Sequence, residues 1–499
     1  MAADQSNRAT GLLIPWDPDA PGPAHQRLSA LLRAQVAQGL LRAGDRLPPS
    51  RALAEELGLS RWVVTEAYDQ LKAEGYLSGR IGAGTVVSAG TSPTRPAPTP
   101  PSAGGAAYSG AAELDLSPAL PDLASFPRAL WRTAIGRALA HVSDAELGHP
   151  DPDGAPALRA TMADYLRRVR GIDATAGQVH ITQGVRSAVL LLSRVLREGG
   201  ASRVAVEDPS WPRLREAVRA GGLEVVAVPV DSAGLRVDLL PDLAVDAVFT
   251  TPTHQFPTGV PLSAQRRGEL ITWARRRGGV VVEDDYDAEF RYDRRPVGAL
   301  AALSGEHVVY LGSASKSLSP AVQLGWMVVP AQLSAALQRA KEVSGGLVPT
   351  LDQHALVHLI ADGAYDRHLR RMRRRYQQRR SALVRALADL RVPGSTAQGM
   401  NAGLHVLHHL PPDLDEEAVR RACLARGMSV LGLGQCSAAG TVPGLVLGYG
   451  NVAEHRAPAV SAALAACIAA ARASGEIASG EIASATVAPS ALGLDDGHR

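Results

Sequence analysis

Cysteine is scarce: Cys423, Cys436 and Cys467 are the three in 499 residues. They are too few and too scattered for a disulfide framework, and no His/Cys spacing matches a zinc site, so no metal is expected. No run of about twenty uninterrupted apolar residues occurs, which argues against a membrane-spanning helix. The opening MAADQSNRAT has no apolar h-region, so no secretion signal is expected and the chain reads as cytoplasmic. Charge of one sign is missing too. The net charge of +3 does not by itself announce a nucleic-acid partner. What is present is the composition of a soluble globular protein, at a length too great for one compact core.

Composition divides the chain. Residues 20–88 are helix-patterned and then carry turn signals. Residues 89–113 are rich in Pro, Ala, Ser, Thr and Gly, the make-up of a flexible linker. From residue 114 to about 470, short β-branched runs alternate with helical periods; examples are Val204–Val206, Glu224–Val230, Asp246–Thr251, Gly279–Glu283, His307–Leu311 and Gly325–Val329. Continuous rather than alternating apolar runs suit strands buried on both faces of a mostly parallel sheet. With helical segments such as Trp211–Ala220 and Ser263–Arg277 between them, the region reads as α/β. The tail, 471–499, repeats SGEIA and ends polar, and is expected to be disordered.

In the first module, Leu28, Leu31, Leu32 and Val36 predict an amphipathic helix from about Ala24 to Leu40. Ser50 is placed to cap a short helix over Arg51–Leu57, and Gly58-Leu59 makes a turn. Ser60 then caps a second helix with Val64, Ala67, Tyr68 and Leu71 on its core face. Two short helices about a glycine turn form a helix-turn-helix, with the second offered to the major groove. The glycines of Tyr76–Val87 suit a hairpin wing. By pattern alone, such a pair is more often a packing motif, and Arg51 is also spaced for an ion pair with Glu55. The wording is more specific. GDRLPPSRALAEELGLSRWVVTEAYDQLKAEGYL followed by GRIGAGTVV resembles the GntR-type winged helix over nearly its whole length. That resemblance implies DNA contact by Arg51, by Ser60, Arg61 and Trp62 at the recognition-helix start, and by Arg80 and Gly82 in the wing. Trp62 and Val63 replace residues usually polar in the family, which implies an operator read differently.

The strongest chemical signal in the second module is GSASKSL, with Lys316 just beyond the strand-like HVVYL. Burying an amine is costly, and condensation with an aldehyde removes its charge. The hydroxyls of Ser313 and Ser315 suit a phosphate, although an isolated motif of this kind is more often a surface loop. Asp284 and Tyr286 follow another buried run, where ligands of open α/β sheets bind. A carboxylate there can hold a pyridine nitrogen protonated. The hydroxyl two residues on can reach the ring's phenolic oxygen. Gly184 and Val185 open a helix whose free amides suit phosphate, and Trp211 ends EDPSW, where an aromatic can stack on a flat ring.

TPTHQFPTGVPLS, EDDYDAEFRYDRRPVGAL and YLGSASKSLSPAVQLGWMVVP closely resemble MocR/GabR-type regulators, and more broadly fold-type-I aminotransferases, from about Leu116 to Asn451. The resemblance implies a pyridoxal 5'-phosphate (PLP) domain with a mostly parallel sheet and a smaller C-terminal α+β part. It further implies a Lys316 aldimine, Asp284 on the pyridinium nitrogen, Tyr286 on the phenolic oxygen and a stacked Trp211, with Ser313, Ser315 and the Gly184–Val185 helix start on phosphate. Departures are equally informative. Gln323 stands where the group has a phosphate-binding Arg, His149 and Trp211 replace tyrosines, and Val446 replaces the late Arg that grips a ligand carboxylate. Arg213 remains as a substitute for that Arg in effector binding. The basic stretch Asp366–Leu387 is read as a solvated or interdomain helix ahead of a DNA contact.

The expected function is a PLP-dependent DNA-binding regulator acting as a domain-swapped homodimer on an operator. The effector is PLP itself or a close metabolite, ahead of a sulfonate or another amine. A working aminotransferase with an appended DNA-binding domain is the competing reading, and a cofactor-free structural domain is disfavoured by the retained Lys, Asp and Tyr.

Overall fold

The computed structural model of the protein describes residues 14–80, 84–88, 113–292, 297–399 and 401–485. The chain divides into two compact units, Met1–Tyr108 and Ser109–Arg499. Of the expected linker, only Glu113 is among the described residues.

In the first unit, helices α1 (Ala24–Ala37), α2 (Ser50–Leu57) and α3 (Arg61–Ala73) pack around Leu28, Leu32, Leu53, Val64, Ala67, Tyr68 and Leu71, all buried. A three-stranded antiparallel sheet joins β1 (Arg46–Leu47) and the hairpin β2 (Leu77–Arg80) and β3 (Gly84–Val87) in the order β1-β3-β2. This is the winged arrangement that the sequence predicts. Gly58 ends α2 in the left-handed conformation, φ +65°, which turns the chain into α3 without a Cβ clash. One cap differs from expectation. Helix α2 begins at Ser50 itself, with Pro49 before it and no side-chain cap. The fixed φ of proline supplies the start instead.

In the second unit, β4 (Leu114–Asp115) pairs with a distant strand described below. The main sheet then forms from β5 (Val179–Thr182), β6 (Arg203–Asp208), β7 (Glu224–Asp231), β8 (Gly234–Leu235), β9 (Ala247–Thr250), β10 (Val280–Asp284), β11 (Val308–Ser313) and β12 (Gly325–Val328). Their order is β5-β12-β11-β10-β9-β6-β7-β8. Strands β7, β6, β9, β10 and β11 run parallel, while β12 is antiparallel to both β11 and β5. Strand β5 therefore runs the same way as β11. Successive residues feed opposite layers: Val281 joins one core cluster and Val282 the other. Burial on both faces explains why the central runs are continuous in sequence. Strand β7 is less covered than that pattern implies, because only the two-residue β8 flanks its outer side.

The smaller part carries β13 (Thr396–Gln398), β14 (His405–His409), β15 (Met428–Ser429), β16 (Leu431–Gly432) and β17 (Gly444–Gly448). Its four-stranded sheet has the order β13-β14-β17-β16, while β15 pairs with β4. The basic segment lies within a helix, Ala364–Ala388, whose inner face buries Tyr365, Leu369, Met372, Tyr376 and Leu383. Arg379 and Arg375 of that helix bond Asp122 at 2.8 and 3.1 Å, so part of its charge is structural. The last helix runs Ala457–Ala485, past the expected boundary at 470. Glu454–Ala473, which enters that helix from a short 3-10 turn, is long and apolar enough to cross a membrane, yet Val460, Leu464, Cys467 and Ile468 are buried in the main core.

Leu53 is fully buried between the helices of the first unit. Leu53→Ala is expected to cost about 3 kcal/mol there. Hydrogen exchange of the α3 amides reads that loss, and unchanged protection would contradict the packing.

Candidate cofactor site and DNA-reading helix

Four loops leave the sheet at the carboxyl ends of β6, β9, β10 and β11, and the turn after β5 leaves at the same edge. These carry, respectively, Trp211, His254, Tyr286, Lys316 and Gly184. Sheet topology alone thus gathers the predicted residues.

Asp284 closes β10 beside Leu311 of β11. One of its oxygens, Oδ1, is buried without a hydrogen-bond partner. Burial, then neighbouring Asp285, raises the carboxyl to about 7, against the opposing charge of Lys316. Burial likewise pulls the Lys316 amine below its ordinary value, against Asp284 and Asp287. Each group shifts the other, so amine and acid share one site. Asp285, pointing the other way, pairs with Arg170 at 2.7 Å and Tyr310 at 2.8 Å.

The Tyr286 hydroxyl donates to the His254 carbonyl at 3.1 Å. Trp211 and Tyr286 share one apolar cluster with Phe256, Leu407 and Val446. At the other end of the site, Ser313 Oγ donates to Ser315 Oγ at 2.8 Å and accepts from the Ser315 amide at 3.0 Å. Ser313 is registered with Gly325, which is registered with Thr182. A Cβ on Gly325 would lie 2.8 Å from Gly184 Cα, so the glycine lets the helix start come down beside the serines. That helix, Val185–Glu198, offers its unpaired first-turn amides there. An acid with one unpaired oxygen, a half-buried amine, a nearby Trp and a hydroxyl-and-amide cradle are groups of the kinds that a PLP ring nitrogen, aldehyde, ring and phosphate would need.

Gln323 and Arg213 differ in their surroundings. Gln323 bonds the Pro320 carbonyl of its own turn. Arg213 is exposed and has no ion pair among the described residues. Sequence reasoning also missed supports. Glu207 accepts from Thr250, Thr251 and Gln255, tying β6 to the loop that carries His254. Buried Arg215 donates to Ser210 and to the carbonyls of Gln435 and Cys436, fastening the Trp211 turn to the smaller part. His254, Asp287 and His405 offer metal-type donor atoms within 4.8 Å of one another. His254 Nδ1 and Asp287 bond each other at 2.9 Å and His405 Nε2 bonds the Pro257 carbonyl at 3.2 Å, while His405 Nδ1 is buried without a partner.

In the first unit, Ser60 Oγ accepts from the Val63 amide at 3.4 Å and caps α3. Arg51 and Arg61 are exposed at the starts of α2 and α3. Arg51 makes no ion pair with Glu55 among the described residues. Trp62 is 63% exposed and meets the His25 ring edge-on at 5.7 Å. Arg80 closes β2, and Gly82 lies outside the described residues.

Residues 24–87 match the family described as bacterial regulatory proteins, gntR family, and residues 122–442 match aminotransferase class I and II. The chain belongs to the GntR-type transcriptional regulators that carry an aminotransferase domain. It is 34% identical to the HTH-type pyridoxine biosynthesis transcriptional regulator PdxR of Corynebacterium glutamicum, over 88% of this chain and 95% of that one. It is 31% identical to the probable rhizopine catabolism regulatory protein MocR of Rhizobium meliloti, over 88% and 92%. Pyrococcus horikoshii kynurenine aminotransferase, solved with PMP, superposes with TM-score 0.65 at 25% identity, over 71% of this chain and 90% of that one. This regulator is thus a PLP-dependent DNA-binding protein with a fold-type-I aminotransferase domain.

Asp284 sits above its ordinary value in the folded chain. Stability linked to its proton is therefore full below the ordinary carboxylate range and is lost as pH rises through about 7. Asp284→Asn is expected to raise the stability of cofactor-free protein by about 2 kcal/mol at about pH 8, and to weaken PLP binding. A wild-type melting temperature that stays flat between about pH 5 and about pH 8 would refute the burial argument.

Proposed function

We propose that this regulator senses a small molecule at its PLP site and converts occupancy into altered operator binding. The observation that carries the reading is the half-buried Lys316 amine, electrostatically coupled to Asp284, one of whose oxygens is buried without a partner. In this reading the Lys316 amine would meet the aldehyde, Asp284 would hold the ring nitrogen, Tyr286 would meet the phenolic oxygen and Trp211 would stack. Ser313, Ser315 and the first-turn amides from Val185 hold phosphate beside Gly184. Bound there, PLP supplies an electron-poor ring and a reactive aldehyde.

The effector we favour is PLP itself or a close vitamin B6 metabolite. Two facts support this. Val446 is fully buried in an apolar cluster at the position where a carboxylate-gripping Arg would stand, so an amino acid lacks that fixed cation. The Corynebacterium relative is named for regulating pyridoxine biosynthesis. Arg213, exposed and without an ion pair among the described residues, is the remaining candidate cation for a second ligand. Two copies, exchanging DNA-binding modules, would read paired half-sites in the cytoplasm. The alternative, an aminotransferase carrying a targeting domain, is favoured by the retained Lys, Asp and Tyr; sustained turnover of an amino donor with a keto acid would establish it.

Arg61→Ala is expected to weaken operator binding about tenfold or more in mobility-shift titrations. Lys316→Ala should leave cofactor-free operator binding intact and abolish its response to PLP. If PLP leaves the wild-type binding curve unmoved, the cofactor is not the signal.

A further inference from the structure

The cofactor assignment uses Asp284 and leaves Asp287, three residues on, without a role. Asp287 is 2% exposed, and its Oδ2 lies 2.9 Å from His254 Nδ1. A carboxylate only accepts, so Nδ1 carries the proton and donates it to Asp287. The Tyr286 hydroxyl sits 3.0 Å from that same nitrogen but cannot donate to it, and so it donates to the His254 carbonyl. Packing fixes the group. A Cβ on Gly403 would overlap the His254 ring and lie 2.6 Å from Asp287 Oδ2.

We infer that Asp287, anchored by His254 beside the Tyr286 hydroxyl, is a second charge-setting carboxylate of the cofactor site: it keeps that hydroxyl protonated, able to turn from the His254 carbonyl to the ring, and its charge extends to the Lys316 nitrogen. The inference rests on the assignment of Lys316 and Tyr286 to PLP. The charge of Asp287 reaches both groups, opposing the burial that lowers the Lys316 amine and adding to the burial that raises Tyr286. The other titratable groups facing this point do not cancel it. His405, on β14, has its ring 5.1 Å from that of His254, and burial lowers it to about 3, so it is neutral. Glu207, at the end of β6, is buried among the hydrogen bonds of Thr250, Thr251 and Gln255 and raised by that burial. Asp284 is committed to the ring nitrogen.

The test is a pH titration of the visible absorbance of PLP-saturated full-length protein. Asp287→Asn removes the charge, so the midpoint should fall by about one pH unit or more. His254→Ala leaves the charge and removes the donor that spreads it, so the midpoint should rise. Opposite signs are the signature; a purely structural role would move neither midpoint, or both in the same sense. Borohydride labelling of Lys316 in each variant verifies that cofactor is bound. Labelled variants with unmoved or like-signed midpoints overturn the inference, as does a stoichiometric divalent metal lost in His405→Ala. If Asp287→Asn does not fold, the sign in His254→Ala decides. A wild type with no visible band removes the cofactor assignment as well, whereas a band without opposite shifts removes only this inference.

Discussion

An amine taken out of water loses solvation worth several kcal/mol unless its charge is matched or removed. At Lys316 both remedies are built in. Asp284 and Asp287 oppose the desolvation of the amine, and an aldehyde bound there would remove its charge. The same low-dielectric setting lifts Asp284 toward neutrality, so acid and amine are each held away from their aqueous states. Such a pair contributes little to the stability of the cofactor-free chain. It is organised for a partner that brings a protonated nitrogen to one group and a carbonyl to the other.

The rest of the unit follows from keeping those two groups on one sheet edge. Parallel β6, β9, β10 and β11 send their loops out on the same side, and β12 brings β5 back in the same sense. Gly184 and Ser313 arrive from opposite sides of that antiparallel insertion, meeting across Gly325, where any side chain would collide with Gly184. Glu207 and Arg215 then fix the two most irregular loops, one to the sheet and the other to the smaller part. Both are buried charges satisfied by several partners, which makes their loops rigid at the cost of needing every partner present.

What could be read in advance was local. Lys316, Asp284 and Tyr286 stand directly after apolar β-branched runs, so strand and site are spelled together in a few consecutive residues. The core face of α3 was equally legible, because Val64, Ala67, Tyr68 and Leu71 repeat at helical spacing. Strand β5 was missed; its four residues, VHIT, alternate in polarity although all four are buried. The start of α2 was misread by one residue, since Pro49 as well as Ser50 can begin a helix. Glu207, Arg215 and the His254–Asp287 pair were invisible because their partners lie tens to hundreds of residues away. A carboxylate in a run such as EDDYD carries no mark of which member faces the ligand. Only pairing does, sending Asp285 to Arg170 and leaving Asp284 with an oxygen free.

The same contrast governs ligand choice. In an aminotransferase, recognition of an amino acid is anchored by a guanidinium matched to the carboxylate, a bidentate contact that fixes orientation as well as supplying energy. Here β17 presents Val446 instead, packed against Leu407 and Leu433 in the cluster that also holds Tyr286. The apolar wall leaves the contacts to ring, phosphate and amine as the main source of affinity, all of which belong to the cofactor. In the proposed reading, a site with the groups to hold PLP but no cation for a second carboxylate is better suited to report the presence of the cofactor than to turn over amino acids, and the fused winged helix would give that report a place to act.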